Sequence, residues 1–503
     1  MSFHKSNSKT PLSPHKPPSI RYPKIPPVIT NYDPKKQYAS QDSANSIYAK
    51  YKAEMNDVPA QQVAGSTLPL VEIPRDEEAN DYNPFEHRKL THPTSDVETL
   101  VHLLKGSLGS GILAMPLAFL NAGLWFGLIA TFAVGAICTY CVHILVKCAH
   151  ILCRRRQIPA LGFADVAETA FLDGPEALHK YSRMIRFIIN TFLVVDLIGC
   201  CCVYIVFVGT NLKQVVDFYL EIDMDVRLYM ASLLLPLIII NLIRNLKFLT
   251  PFSMIANILI AASLVITLYY ILMDLPAVSE RPAIASITQM PMFFGTVIFA
   301  LEGIGVVMSL ENNMKHPTHF IGCPGVLNFG MTVVIALYTS VGFLGYLKFG
   351  EDTKGSITLN LPVHEMLAQS VKLMIAIAIF FTYALQFYVP MEIIWKNIKG
   401  NFQDQYKNII EYSLRIFLVI ATVAIAAAIP NLGPFISLIG AVCLSTLGLI
   451  FPALIELVVY WERPGLGRYN WRLWKNIFLM VFGVIGFFTG TYVSVKEILG
   501  EVP

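Results

Sequence analysis

Long apolar runs repeat along most of this 503-residue chain. About eleven of them, each roughly 20 residues long, lie between residues 97 and 495, and a helix of that length crosses the ~30 Å hydrocarbon core of a bilayer. The chain is 54% hydrophobic and only 15% charged, whereas soluble domains are about 25% charged. The pattern predicts an all-α integral membrane protein with spans, numbered 1 to 11 in chain order, near 97–120, 123–148, 184–208, 228–243, 251–273, 290–312, 325–347, 367–393, 410–430, 435–459 and 476–495.

Polar segments divide the chain into three parts. Residues 1–95 are rich in Pro, Ser and Lys and keep no apolar period, so we predict a disordered tail. Residues 96–496 form the transmembrane domain, and residues 497–503 form a short C-terminus. The loop between spans 2 and 3 contains one stretch with a helical period, 163–171, which indicates either a helix on the membrane surface or an ordinary connecting helix.

Basic residues are unevenly shared between the two sets of loops. The loops on the side of the N-terminus hold most of the Lys and Arg residues, including Arg154, Arg155 and Arg156, whereas the acidic run at 221–225 falls on the other side. Lys and Arg are enriched in cytoplasmic loops. We therefore expect a cytoplasmic N-terminus and, with eleven spans, an extracellular or luminal C-terminus.

Two of the spans contain glycines where a helix is expected to break. Three glycines fall within residues 106–111 of span 1, and two more, at 303 and 305, follow Glu302 in span 6. Each glycine costs a helix about 1 kcal/mol relative to alanine. Unpaired backbone cannot face lipid, so an unwound stretch must line a protected polar cavity. Close helix packing is the alternative explanation for membrane glycines.

The spacing of the two breaks predicts an internal repeat. Spans 1 and 6 are five apart and run in opposite directions, as expected for inverted five-helix repeats with a substrate between the breaks. Free N–H groups at the start of a half-helix attract a carboxylate, and free C=O groups attract a cation. An amino acid carries both charges and fits such a site.

Several motifs, in order over roughly residues 90–495, carry a more specific signal. They are His102-Leu-Leu-Lys-Gly106, Cys201-Cys-Val-Tyr-Ile-Val-Phe207, Phe293-Phe-Gly-Thr296, Glu302-Gly-Ile-Gly305, Leu310-Glu-Asn312, Gly355-Ser-Ile-Thr-Leu-Asn-Leu-Pro362 and Phe380-Phe-Thr-Tyr-Ala-Leu-Gln-Phe-Tyr-Val-Pro390. With these residues the chain resembles the proton-coupled amino acid transporters of the amino acid/auxin permease superfamily.

This resemblance implies a leucine-transporter-like 5+5 inverted repeat with one extra helix. It also implies proton-coupled symport of small neutral amino acids, of the glycine, alanine and proline type, into the cytosol. The proton is then the coupling ion, and no other cofactor is expected. Two departures are visible: the outer loops around 209–227 and 348–366 lack the cysteines that form a disulfide in vertebrate relatives, and Asp196 stands where an uncharged polar residue is expected.

Three ionisable residues are candidates for proton coupling. The resemblance assigns this role to His102, which otherwise is a neutral histidine paired with a neighbouring helix. Glu302 either carries the proton or bonds the unwound backbone, because intramembrane carboxylates are costly and usually functional. Asp196 in span 3 is the third candidate, with a structural hydrogen bond as the alternative. Glu311 is expected at the membrane interface.

Substrate contacts are expected from the backbone at the two breaks and from nearby aromatic rings, although membrane tyrosines often only pack. The candidates are Leu108, Gly109, Ser110, Gly111, Phe299, Gly303, Tyr204 and Tyr383. We expect no metal site, because the nine cysteines lack histidines at zinc spacing.

The remaining expectations concern partners and the class of protein. Tyr82-Asn-Pro-Phe85 fits the pattern read by endocytic adaptors, which leaves the plasma membrane and the endosome–lysosome membrane both open. No basic–aromatic cluster indicates nucleic acid, and neither a nucleophile–base pair nor a phosphate loop indicates an enzyme. The alternatives to a carrier are an amino acid sensor that signals to cytosolic growth-control partners with little transport, and a channel.

Overall fold

Long apolar helices account for most of the described chain. A computed structural model of the protein describes residues 82–88, 90, 93–107, 109–244, 246–301, 303–462 and 464–501, and these residues form no strand. Spans 2, 3, 5, 7, 8, 9 and 11 are the helices Leu124–Arg156, Ser182–Leu220, Leu246–Leu272, Val326–Phe349, Met366–Ile398, Asp404–Ala428 and Trp471–Ile498. Together with spans 6 and 10, they are the nine helices in the described chain that are long and apolar enough to cross a membrane.

Spans 1 and 4 differ from a plain membrane helix. Span 1 consists of two helices, Asp96–Ser107 and Gly111–Ala122, which meet at an angle of 55° and together make a tenth crossing. Span 4 is a shorter apolar segment, Val226–Asn241, formed by the helices Val226–Ser232 and Leu234–Asn241. At the rise of a helix, this segment of about 16 residues covers about 24 Å. The all-α membrane fold predicted from the sequence is therefore confirmed, with span 4 as its shortest member.

Spans 6 and 10 also depart from a regular helix. Span 6 consists of Met290–Leu301 and Ile304–Asn312. Span 10 runs through Leu432–Ile439, a π-helical stretch Gly440–Ile450, and Phe451–Val459. A Cβ atom on Gly440 would lie 1.9 Å from the carbonyl oxygen of Gly295. The two backbones are thus in direct contact, which only small residues allow.

The helical stretch in the loop between spans 2 and 3 forms the helix Phe163–Asp173. Its side chains at Val166, Ala167 and Ala170 are fully buried, and it packs against spans 2, 3 and 10. Arg155 of span 2 forms an ion pair with Asp173 at 2.9 Å. The alternative of a surface helix is therefore wrong, because the apolar side of this helix faces protein.

Short helices complete the connections. They are Glu176–His179, Val278–Glu280, Pro317–His319, Gly350–Asp352, Ile357–Asn360, Lys399–Asn401 and Arg468–Asn470.

The structure also describes a segment of the chain before residue 95. Residues 82–94, described except at 89, 91 and 92, lie against the ends of spans 1, 2 and 6, and we call them the N-terminal strap. The amide of Thr94 donates to the carbonyl of Asn313 at 2.8 Å, and the amide of Lys315 donates back to Thr94 at 2.9 Å. The end of the bundle that carries the strap is called the strap face below.

Candidate functional site

The break in span 1 is an irregular turn between two half-helices. The first half ends at Ser107, and the amide of Gly109 donates to the carbonyl of Ser107 at 2.9 Å. The second half begins at Gly111, behind a buried Ser110 whose side chain makes no capping bond. The first amides of this second half and the last carbonyls of the first half lack helical partners. Such groups can bind the two charges of a zwitterion.

Tyr338 of span 7 holds the broken end of span 1 in place. Its side chain is fully buried, and its hydroxyl donates to the carbonyl of Ser107 at 2.5 Å. This residue was not among the sequence candidates. A tyrosine inside an apolar run looks like any packing aromatic residue, so the sequence contains no signal for this role.

The break in span 6 lies directly opposite the break in span 1. A Cβ atom on Gly303 would lie 3.6 Å from the hydroxyl oxygen of Ser107, and one on Gly106 would lie 3.5 Å from Val306. The hydroxyl of Ser107 is buried and makes no hydrogen bond to any described residue. The two glycine breaks predicted from the sequence therefore meet, with a polar group between them.

The second half of span 1 crosses span 6 at very short range. A Cβ atom on Gly111 would lie 2.7 Å from the Cα of Ala300 and 3.1 Å from its Cβ. Glycine at 111 is thus required by the approach of the two helices. Both explanations offered for these glycines apply, because Gly111 serves packing while Gly109, with nothing within 4 Å of an added Cβ, does not.

A small apolar cavity lies beside the break. Its volume is about 10 Å³, and it is lined by Gly109, Ile112, Leu113, Ile260, Leu264, Ile375 and Ile379. A space of this size holds at most about one water molecule. The site is therefore closed in this conformation, and the side chains around it are aliphatic.

The other candidates take different positions. Phe299 is buried in span 6 near Gly440, and Tyr204 is half-buried in span 3. The hydroxyl of Tyr383 is 2.8 Å from that of Thr422 in span 9, so it pairs with span 9 rather than with either break.

The candidates for proton coupling also lie in different parts of the structure. Asp196 is buried in span 3, whereas His102 is exposed on the first half of span 1. His102 is not paired with a neighbouring helix in this conformation, since no described residue hydrogen-bonds to it. Leu108 and Glu302 lie outside the described residues.

A buried cluster of charged and polar side chains lies at the strap face, beside the end of span 6. Arg88 of the strap donates through Nη2 to both carboxylate oxygens of Glu311, at 3.1 and 3.3 Å, and through Nη1 to the Glu311 carbonyl at 3.0 Å. His150 of span 2 places Nε2 at 2.7 Å from Oε1 of the same carboxylate. The Glu311 side chain is fully buried. Glu311 thus lies at the end of span 6, as expected, and the strap covers its side chain.

The Tyr82–Phe85 segment belongs to this strap. Pro84 is buried, the Phe85 ring contacts the His150 ring at 4.9 Å, and the Arg88 guanidinium lies 5.1 Å from the Phe85 ring. The motif is thus docked on the bundle in this conformation.

In the described chain, nine long apolar helices and the bent pair of span 1 surround two facing helix breaks, an arrangement typical of membrane transporters rather than of enzymes. The chain belongs to the family described as "Transmembrane amino acid transporter protein", whose family model matches residues 92–496. Among the described residues, no group of three or more His, Cys, Asp or Glu side chains is placed to hold a metal ion.

Two relatives from animals cover most of the chain. "Proton-coupled amino acid transporter-like protein pathetic" of Drosophila melanogaster is 46% identical over 420 residues, covering 84% of this chain and 88% of that protein. "Probable amino acid transporter skat-1" of Caenorhabditis elegans is 25% identical over 418 residues, covering 81% and 90%.

Solved structures of the transporter Mhp1, of the nucleobase-cation-symport-1 family, are also similar. The closed conformation with bromovinylhydantoin bound has 12% identity and a TM-score of 0.47, covering 82% of this chain and 93% of that chain. The inward-facing conformation has 12% identity and a TM-score of 0.46, with 82% and 92% covered.

Proposed function

We propose that the protein is a secondary active transporter that carries small neutral amino acids into the cytosol together with protons. The observation that carries this proposal is the meeting of the two helix breaks at Ser107 and Gly303, with a buried hydroxyl between them. Amides and carbonyls that lack helical partners at such breaks can bind an amino acid's carboxylate and ammonium groups. The name of the Drosophila relative supports proton coupling.

The walls of the closed cavity favour a substrate whose side chain is small and neutral. All the side chains that line it are aliphatic and uncharged. A charged substrate side chain would lose its hydration there without gaining a partner, which costs several kcal/mol. A large side chain would need the packed spans 1, 5 and 8 to move further apart than a small one does.

The direction of transport follows from the proposed topology. The basic loops, including Arg154, Arg155 and Arg156, lie at the strap face, and the positive-inside rule assigns that face to the cytosol. The plasma membrane and the endosome–lysosome membrane both fit this orientation. The proton is the only coupling ion proposed.

The test is a panel of amino acids on oocytes that express the full chain, with current and radiolabelled uptake recorded at pH 5.5 and 7.5. We expect inward current and uptake with glycine, alanine and proline, larger at the acidic pH, and little with lysine or glutamate. Uptake without current would contradict proton coupling. No substrate-dependent signal at either pH would favour the sensor over the carrier.

Replacement of His102 tests the proton part separately. His102→Ala removes the imidazole to which the resemblance assigns proton coupling, and we expect it to abolish pH-gradient-driven uptake while surface expression persists. His316→Ala, at another exposed histidine on the strap face, is the matched control and should keep the pH dependence. If His102→Ala leaves the pH profile unchanged, the coupling role is excluded.

A further inference from the structure

A groove opens toward the lipid between spans 2 and 7. Its volume is about 580 Å³. Phe132, Ala136, Thr139, Tyr140 and His143 line it on span 2, and Asn328, Met331, Thr332 and Ile335 line it on span 7. Phe132 and Tyr140 are 47% and 38% exposed, so the groove is open at the surface of the bundle. It is separate from the two helix breaks.

The groove runs from the membrane interface at the strap face toward the centre of the bilayer. Span 2 begins beside the exposed Trp125 and is 33 residues long, about 50 Å, so its last ~20 Å extends past a ~30 Å hydrocarbon core. The far boundary of that core then falls near His143. Tyr140 agrees with this depth, because its hydroxyl accepts a 2.8 Å hydrogen bond from Lys475, four residues from the exposed Trp471. Aromatic residues and lysines of this kind mark the interface.

The length and polarity of the groove match one lipid of that leaflet. From His143 to Phe132 the helix rises about 16 Å, which is half of the hydrocarbon thickness. The interfacial end has polar groups on His143, Tyr140 and Asn328, whereas the deep end is formed by Phe132 and Ile335. An acyl chain fits the deep end, and a headgroup fits the polar end.

The charges at the interfacial end favour an anionic headgroup. His143 is half-buried in a membrane helix, yet no described residue hydrogen-bonds to its ring. Intramembrane ionisable side chains normally have a partner. Lys147, one turn further along span 2, is exposed and forms no ion pair with a described residue. Lys475 is already neutralised by Glu456, so Lys147 supplies the attracting charge and His143 offers a ring N–H as a hydrogen-bond donor.

We propose that this groove is a binding site for an anionic glycerophospholipid of the leaflet at the strap face. The phosphate accepts hydrogen bonds from His143 and Lys147, and one acyl chain lies along Ala136 and Met331. A zwitterionic lipid brings its own cation and leaves Lys147 uncompensated. One lysine near a membrane surface contributes about 1 kcal/mol, which corresponds to about fivefold preference for the anionic lipid.

The test uses the full chain in nanodiscs of phosphatidylcholine with or without phosphatidylserine. Lipids retained after transfer to detergent are counted by native mass spectrometry, and a photoreactive phosphatidylserine is mapped onto peptides. We expect retention of phosphatidylserine, labelling between residues 132 and 143, and several-fold loss of both in Ala136→Trp, which fills the groove. Lys147→Gln should lower the preference about fivefold.

Two matched variants separate the site from general effects. Val265→Trp adds the same ring at a lipid-exposed position of span 5, and Lys396→Gln removes an exposed charge at the strap-face end of span 8. In both variants, the photoreactive phosphatidylserine should label the groove as it does in the parent protein. Equal retention of the two phospholipids, unchanged labelling in Ala136→Trp, or preferential labelling of the groove by a photoreactive sterol would overturn the proposal.

Discussion

Replacing Gly111 with alanine should force spans 1 and 6 apart where they cross and reduce uptake to background. The added methyl carbon would lie 2.7 Å from the Cα of Ala300, a backbone atom that cannot rotate away. The two half-helices must separate, and overpacking of this kind costs about 1–3 kcal/mol. The same separation displaces Ser107 from Gly303, so the binding groups of the two breaks no longer face each other.

The measurement pairs thermal unfolding in detergent with uptake at equal surface expression. Gly109→Ala is the matched control for folding, because an added methyl at position 109 meets nothing within 4 Å. We expect Gly109→Ala to melt like the parent protein and Gly111→Ala to melt several degrees lower. Equal melting temperatures for the two variants would show that the approach of the helices tolerates a side chain.

Removing the carboxylate of Glu311 should destabilise the strap face even more. In Glu311→Ala, the Arg88 guanidinium is left without its counter-charge in a site where its side chain is only 4% exposed. Breaking a buried pair from one side costs about 3–5 kcal/mol. We expect the strap to detach, or the whole protein to be lost from the membrane fraction, and unfolding measurements on the purified protein report the change.

An exposed pair provides the comparison for this variant. Lys407 and Asp404 also form an ion pair, but the Asp404 side chain is 94% exposed, so Asp404→Asn should leave the melting temperature nearly unchanged. The double variant Arg88→Met with Glu311→Met should recover most of the loss, because no charge remains buried. A loss in Glu311→Ala no larger than in Asp404→Asn would contradict the buried cluster.

Features that depend on neighbouring residues were predictable from the sequence. The spans follow from runs of apolar residues, and the two breaks follow from glycines whose helical cost is local. The unusual length of span 4 is also visible locally, because the apolar segment Val226–Asn241 has only 16 residues.

Features that depend on distant partners were not predictable. Arg88 and Glu311 are 223 residues apart, and nothing in the sequence around Glu311 indicates that a distant segment covers its carboxylate. Tyr338 and Ser107 are 231 residues apart, and they too come into contact only in the folded chain. The roles of His102, Glu302 and Asp196 in coupling stay predictions.

The docking of Phe85 on His150 has a consequence for any adaptor that reads Tyr82–Phe85. Adaptors of this kind take up short peptide segments as separate ligands, whereas here the segment is already occupied by its own bundle. An adaptor would then compete with the bundle for this segment. The free energy of the Arg88–Glu311 cluster would determine how tightly the adaptor must bind. If an adaptor reads this motif, a transport step that loosens the strap would also free residues 82–85 for binding, and the rate of transport would then influence how long the protein stays in its membrane.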